Sequence, residues 1–160
     1  MKFIAAILLL PMLIACGPAD PTALISEGHR ALSSSDSATA QAKFTEALTV
    51  LHSGDAQFVE AKLGLVEARI RGEPKQAGLD FLALVDTFPS QMGEKEFVYI
   101  AGQMVSAHKH SEAIDLITAG IKRSGPKSPK LMLLIERIKK EAVVDNDTEA
   151  IKKLKTVGYL

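Results

Sequence analysis

Tryptophan is absent from this chain, cysteine occurs once, and aromatic residues make up only 5% of the whole. A single cysteine forms no intrachain disulfide, so no disulfide framework holds the fold. Scarce aromatics and few β-branched runs argue against a sheet, and the Ala- and Leu-rich remainder favours helix. Charge of one sign is also missing, because 19 Lys plus Arg stand against 19 Asp plus Glu. A polyanion-binding surface needs a basic surplus, so nucleic acid is not an expected partner, and neither is an electrostatic hold on anionic lipid. What is present is ample apolar material, 47% of 160 residues, enough for one domain with its own core.

The longest apolar run, Phe3 to Ile14, is interrupted only by Pro11; Lys2 precedes it, and small Ala15 and the lone Cys16 follow. Charge, apolar stretch and small residue in that order read as a secretory signal peptide. A membrane-spanning helix needs ~20 apolar residues. This run stops earlier, at Gly17-Pro18-Ala19-Asp20-Pro21, which does not continue a helix. Leu13-Ile14-Ala15-Cys16 resembles the lipobox of bacterial lipoproteins. The resemblance implies a diacylglycerol on the Cys16 thiol, cleavage before that residue and acylation of the new amine. Gly17 stands where inner-membrane lipoproteins commonly carry Asp, which implies outer-membrane residence facing the periplasm. The alternative is an ordinary signal peptide cut at a nearby small residue, with Cys16 incidental. The expected organisation is signal peptide 1–15, lipidated tether 16–21 and helical domain 22–160.

Within that domain the chain repeats itself about every 36 residues. Ala40, Ala77, Ala113 and Ala150 recur at intervals of 37, 36 and 37 residues. Four residues on from each stand Phe44, Phe81, Ile117 and Leu154, and three further on Ala47, Leu84, Gly120 and Val157. Steps of four and three share one helical face, so these mark the second helices of four hairpins. Upstream, Gly28, Gly64 and Ala101 put small residues on the first helices, with Ile138 the exception in the fourth unit. Breakers fall where the hairpins need turns: Ser33 to Ser37, Gly72-Glu73-Pro74, His108 to Ser111 and Asp145 to Thr148 within units. Ser53-Gly54-Asp55, Phe88-Pro89-Ser90 and Gly125 to Pro129 separate the units.

This order of small, aromatic and turn positions resembles the tetratricopeptide repeat, over residues 22–160, most closely in the first unit. The resemblance implies an all-α fold, a right-handed superhelical array of about four antiparallel helical hairpins. Its inner groove, lined mainly by first helices, would accept a protein or peptide partner. Projection of those helices assigns Ile25, His29, Ala61, Leu65, Arg69, Val98, Gln103 and Ser106 to the groove, a mainly apolar set; the competing reading places several of its apolar members in the core between repeats. A terminal repeat has one face without a neighbour, and Lys139, Lys140, Lys152, Lys153 and Lys155 are suited to solubilise it.

Chemistry is sparse. His108 and His110, placed two apart on a helix, would point away from one another, and no third ligand lies at a metal-binding spacing nearby. Asp145, Asp147 and Glu149 alternate like the start of a calcium loop, but Ala150 replaces its glycine and Thr156 its bidentate Glu. Asn146-Asp147-Thr148 reads as a helix cap. No Gly-x-Ser-x-Gly elbow and no phosphate-cradling glycine loop occurs. No cofactor or metal is expected. The leading expectation is a non-enzymatic adaptor anchored in the bacterial envelope, assisting assembly of a machine such as a pilus or secretion complex. The alternatives are a small envelope enzyme or ligand carrier with a site between hairpins, and a structural lipoprotein that self-associates through Tyr159-Leu160.

Overall fold

The computed structural model describes residues 19–125 and 128–160; the expected signal peptide and Cys16 lie outside them. The described residues form α1 (Pro21–Ser33), α2 (Ser37–Val50), α3 (Phe58–Arg69), α4 (Pro74–Thr87), α5 (Glu94–Ser106), α6 (His110–Ser124), α7 (Pro129–Val144) and α8 (Thr148–Thr156), with no strand among them. The fold is all-α. Proline at the first helical positions starts α1, α4 and α7, where a missing N–H costs nothing. Side-chain caps finish several starts: Asp20 accepts from the Thr22 amide, Asp36 from Thr39, Ser128 from Leu131 and Asp147 from Ala150.

Consecutive helices join in four pairs, and three of the four inner turns are built alike. Ser35, His108 and Asn146 take left-handed backbone, with φ of 60°, 55° and 53°. The next amide in each then donates to a carbonyl five residues back: Asp36 to Ala31, Lys109 to Met104 and Asp147 to Ala142, all at 2.9 Å. This closure satisfies carbonyls that a helix end leaves bare. Side chains make the left-handed region costly, and here a tight turn requires it three times.

The aligned small and large positions are the packing contacts. Ala40, Ala77, Ala113 and Ala150 are all 0% exposed, as are Phe44, Phe81, Ile117 and Leu154. The Phe44 ring lies across two glycines of neighbouring helices: a Cβ on Gly28 would stand 2.7 Å from its Cζ, and one on Gly64 only 2.3 Å away. Further on, Gly120 leaves room for Leu131 and Phe97, and Phe81 meets Phe97 edge to face at 5.0 Å, tying α4 to α5. The main interhelical contacts join helices one or two apart in the chain. They enclose two apolar clusters, one around Leu24, Phe44 and Leu65, the other around Phe81, Phe97, Ile114 and Ile135. Helix α3 serves both, giving Ala61, Leu65 and Ala68 to the first and Val59 and Val66 to the second.

At the C-terminal end, Lys153 departs from its expected solubilising role. Its ammonium donates to Asp115 at 2.7 Å and to the Ser111 hydroxyl at 2.9 Å, bracing α8 against α6. Lys139 pairs with Glu136 at 2.7 Å, while Lys140, Lys152 and Lys155 are exposed. Tyr159 packs against the second cluster, and no described helix is long and apolar enough to cross a membrane.

Candidate functional site

The first helices of three successive pairs, α1, α3 and α5, meet along a groove of about 380 Å³. Its lining includes His29 from α1, Glu60, Leu63 and Glu67 from α3, and Glu96 and Tyr99 from α5. Glu60, Leu63 and Glu67 form one stripe because steps of three and four keep a helical face. Met92 closes the floor, and no lysine or arginine stands among the described lining residues. Three carboxylates without a lining cation make the groove acidic.

Its polar groups hold one another in place. The His29 ring packs edge-on against Phe44 at 5.1 Å, and its Nε2 lies 3.3 Å from Glu60 Oε1. Tyr99 donates its hydroxyl to Glu67 Oε2 at 2.8 Å. Partial burial and the Glu67 carboxylate push the Tyr99 phenol up to about 12. Burial and a neighbouring anion both penalise the phenolate, so the phenol remains a donor at any ordinary pH. Glu96 accepts from the Gly93 amide at 2.9 Å, which caps α5 and turns that carboxylate partly inward to its own helix start.

Of the eight residues assigned to the groove from sequence, His29 alone lines it. Ile25 is 4% exposed and borders a smaller cleft with His29 and Gln57. Ala61 is wholly buried in the first cluster. Leu65 and Arg69 line a different cleft of about 400 Å³ between α3 and α4, together with Phe58, Leu84 and Phe88; there Arg69 is ion-paired with Asp80. Val98 is half-buried against the second cluster. Gln103 and Ser106 border a small cleft beside the inner turns, near Arg71. The displacement has a physical cause: α3 is buried on two faces, so the face opened to the groove is rotated from that of a helix with one apolar stripe. The Glu60, Glu67 and Tyr99 positions carried a signal only as partly polar i, i+3, i+7 stripes, which read equally as solvated surface.

A second polar constellation spans the inner turns of the third and fourth pairs. His108 and His110 do not lie on one helix: α6 begins at His110, and the left-handed turn at His108 brings the two rings edge to face at 5.7 Å. Carboxylates arrive one repeat later in the chain. Asp145 Oδ2 lies 3.0 Å from His108 Nδ1, and Asp147 Oδ2 lies 3.1 Å from His110 Nδ1. Glu141 Oε2 stands 3.3 Å from His110 Nε2. Burial acts to raise Glu141, but hydrogen bonds from Arg137 and His110 outweigh it and hold the carboxyl below its usual range. Ser111 donates to Glu149 at 3.0 Å, extending the ladder. No linear spacing reveals this set, because its members are brought together where the turn before α6 packs against the turn before α8.

Comparison with known proteins finds no matching family model, no matching curated protein and no matching solved structure.

Proposed function

We propose that this chain is a non-enzymatic interaction protein of the bacterial envelope, lipid-anchored through Cys16 in the outer membrane and facing the periplasm. In this reading its helix pairs form a short array of the tetratricopeptide kind. The groove across α1, α3 and α5 receives a basic segment of a partner protein. The acidic lining of that groove is the observation that carries the proposal: Glu60, Glu67 and Glu96 lie along one trough with Leu63, Met92 and Tyr99 as apolar floor and wall. An extended or helical guest with spaced Lys or Arg side chains would meet carboxylates at its edges and apolar surface beneath, the usual anatomy of a steered protein contact. The partner's role in assembling a larger machine, such as a pilus or secretion complex, is part of the same proposal.

The test is affinity capture of the full-length lipidated protein from envelope membranes, with mass spectrometry, beside a Glu60→Lys/Glu67→Lys double variant. One stoichiometric partner, lost from the charge-reversed variant and weakened by salt, is the expected result. Recovery of the same partner by the variant overturns the groove assignment, and recovery of the chain alone favours self-association through its C-terminal residues.

A second reading, a carrier of a small apolar ligand, is favoured by the α3–α4 cleft, where Phe58, Leu65, Leu84 and Phe88 surround the Arg69–Asp80 pair. It predicts saturable uptake of an apolar fluorescent probe that Leu65→Glu abolishes while the groove partner is retained.

A further inference from the structure

We propose that His108, His110 and Asp145 bind a divalent transition-metal ion of the borderline class, with Zn²⁺ as the reference ion, at the junction of the third and fourth helix pairs. One ligand atom from each of the three falls within 4.8 Å of the other two. Bonds of ~2.0–2.1 Å set ligand atoms about 3.3 Å apart around a tetrahedral Zn²⁺, so closure on an ion needs movement of roughly 1.5 Å. The cluster has the right distribution of freedom for that movement. His110 is buried, whereas the His108 side chain is 67% exposed and that of Asp145 39%, so both outer ligands are free to swing inward. Asp145 Oδ2 and His108 Nδ1, 3.0 Å apart, already stand close to the spacing of two ligands on one ion.

The donor set selects the class of ion. Two imidazole nitrogens and one carboxylate oxygen suit Zn²⁺, Ni²⁺ or Cu²⁺, whereas Ca²⁺ and Mg²⁺ favour oxygen alone. The surroundings of His110 are a separate observation pointing the same way. Its Nδ1 faces Asp147 and its Nε2 faces Glu141, so the nitrogen that takes the metal gives up its present carboxylate contact while the other keeps one. That outer carboxylate fixes ring orientation and strengthens the ligand, as it does around metal-bound histidines generally. Three protein ligands leave a fourth position for water or for the carboxylate displaced from the ligating His110 nitrogen, Asp147 or Glu141. The bound ion would clip the turn at residues 107–109 to that at 145–147, fastening the last helix pair to the one before it. This proposal is independent of the groove.

The test uses the full chain in detergent with Cys16→Ser, which removes the only thiol, after chelator treatment and dialysis. Zn²⁺ binding is followed by equilibrium dialysis and calorimetry, and Co²⁺ binding by its visible absorption. One ion per chain is expected. His108→Asn keeps the turn, since Asn146 holds the same left-handed backbone one repeat later, yet supplies no imidazole. It and Asp145→Asn should each weaken Zn²⁺ at least about tenfold and abolish the Co²⁺ bands. His52→Ala, an exposed histidine outside the cluster, should change nothing, and circular dichroism checks that each variant is folded. Failure of the parent protein to bind Zn²⁺ at roughly 0.1 mM overturns the proposal, as does undiminished binding by folded His108→Asn and Asp145→Asn proteins.

Discussion

The two ends of the molecule solve the same packing problem with opposite chemistry. Between α1, α2 and α3 the centre of the joint is apolar: one aromatic ring, Phe44, fills the space that Gly28 and Gly64 leave open, and Ala40, Ala47, Ala61 and Ala68 let backbones approach, with polar pairs such as His29–Glu60 and Lys43–Glu27 at its edges. Between the third and fourth pairs the inner face is filled by Ile135, Ile138 and Leu131, while the turns are joined by His108 to Asp145, His110 to Asp147 and Ser111 to Glu149. The apolar joint draws its strength from shape, which leaves no room for a methyl group at Gly28 or Gly64. The polar joint draws it from charge-assisted hydrogen bonds, which depend on every partner being present.

The contrast is sharpest on removal of Phe44. Phe44→Ala should cost about 3–5 kcal/mol, read from urea unfolding by circular dichroism; a cost below about 1 kcal/mol would mean that α1 to α3 are held by something else. Gly64→Ala should cost about 1–3 kcal/mol through overpacking against the same ring. In the polar joint, His110→Ala removes the imidazole shared by Asp147 and Glu141, which keep the Ala150 amide and Arg137 as partners. Since those carboxylates are partly solvated, the loss should be about 1–2 kcal/mol; a neutral result would show the ladder to be ornamental. Gly78→Ala is the counter-case. Its Cβ would meet Met104 at 3.9 Å and Leu116 at 4.0 Å, ordinary contact distances, so better helix propensity should stabilise by up to about 1 kcal/mol.

The smallest effect lies in the groove and concerns titration. In a Tyr159→Phe background, Tyr99 should ionise near 12 by its phenolate absorbance, above the ordinary value of 10.0. Glu67→Gln should bring the midpoint down. The fold favours the neutral phenol, so its contribution to stability is complete below the ordinary value and lost as pH rises toward the folded one. A midpoint at the ordinary value in both proteins would place the phenol beyond the influence of Glu67.

Much of the local architecture was legible from residue order. The aligned alanines mark the buried spine of the second helices, and the Ser-rich, His-containing and Asp-rich breakers mark three inner turns. Regular helix geometry makes both periodic, so spacing alone finds them. The groove was not legible in this way. Projection of the first helices assigned Leu65 and Arg69 to a groove; in the structure they line the α3–α4 cleft, while the sector of α3 facing α1 and α5 carries Glu60, Leu63 and Glu67. Lys153, expected as one of five solvent-facing lysines, is drawn to Asp115, 38 positions earlier in the chain. His108 and His110 were judged as a helical i, i+2 pair, whereas the left-handed turn at His108 removes the first of them from the helix.

By itself, the sequence determined the helical class, the period and the positions of tightest packing, because these follow from steps of three and four along one chain and from residues that break a helix. Only the tertiary structure decided which face of α3 opens to the groove and which carboxylates reach His108 and His110. Those outcomes depend on how one helix pair packs on the next, and side chains 31 to 38 positions apart meet only when that packing is fixed.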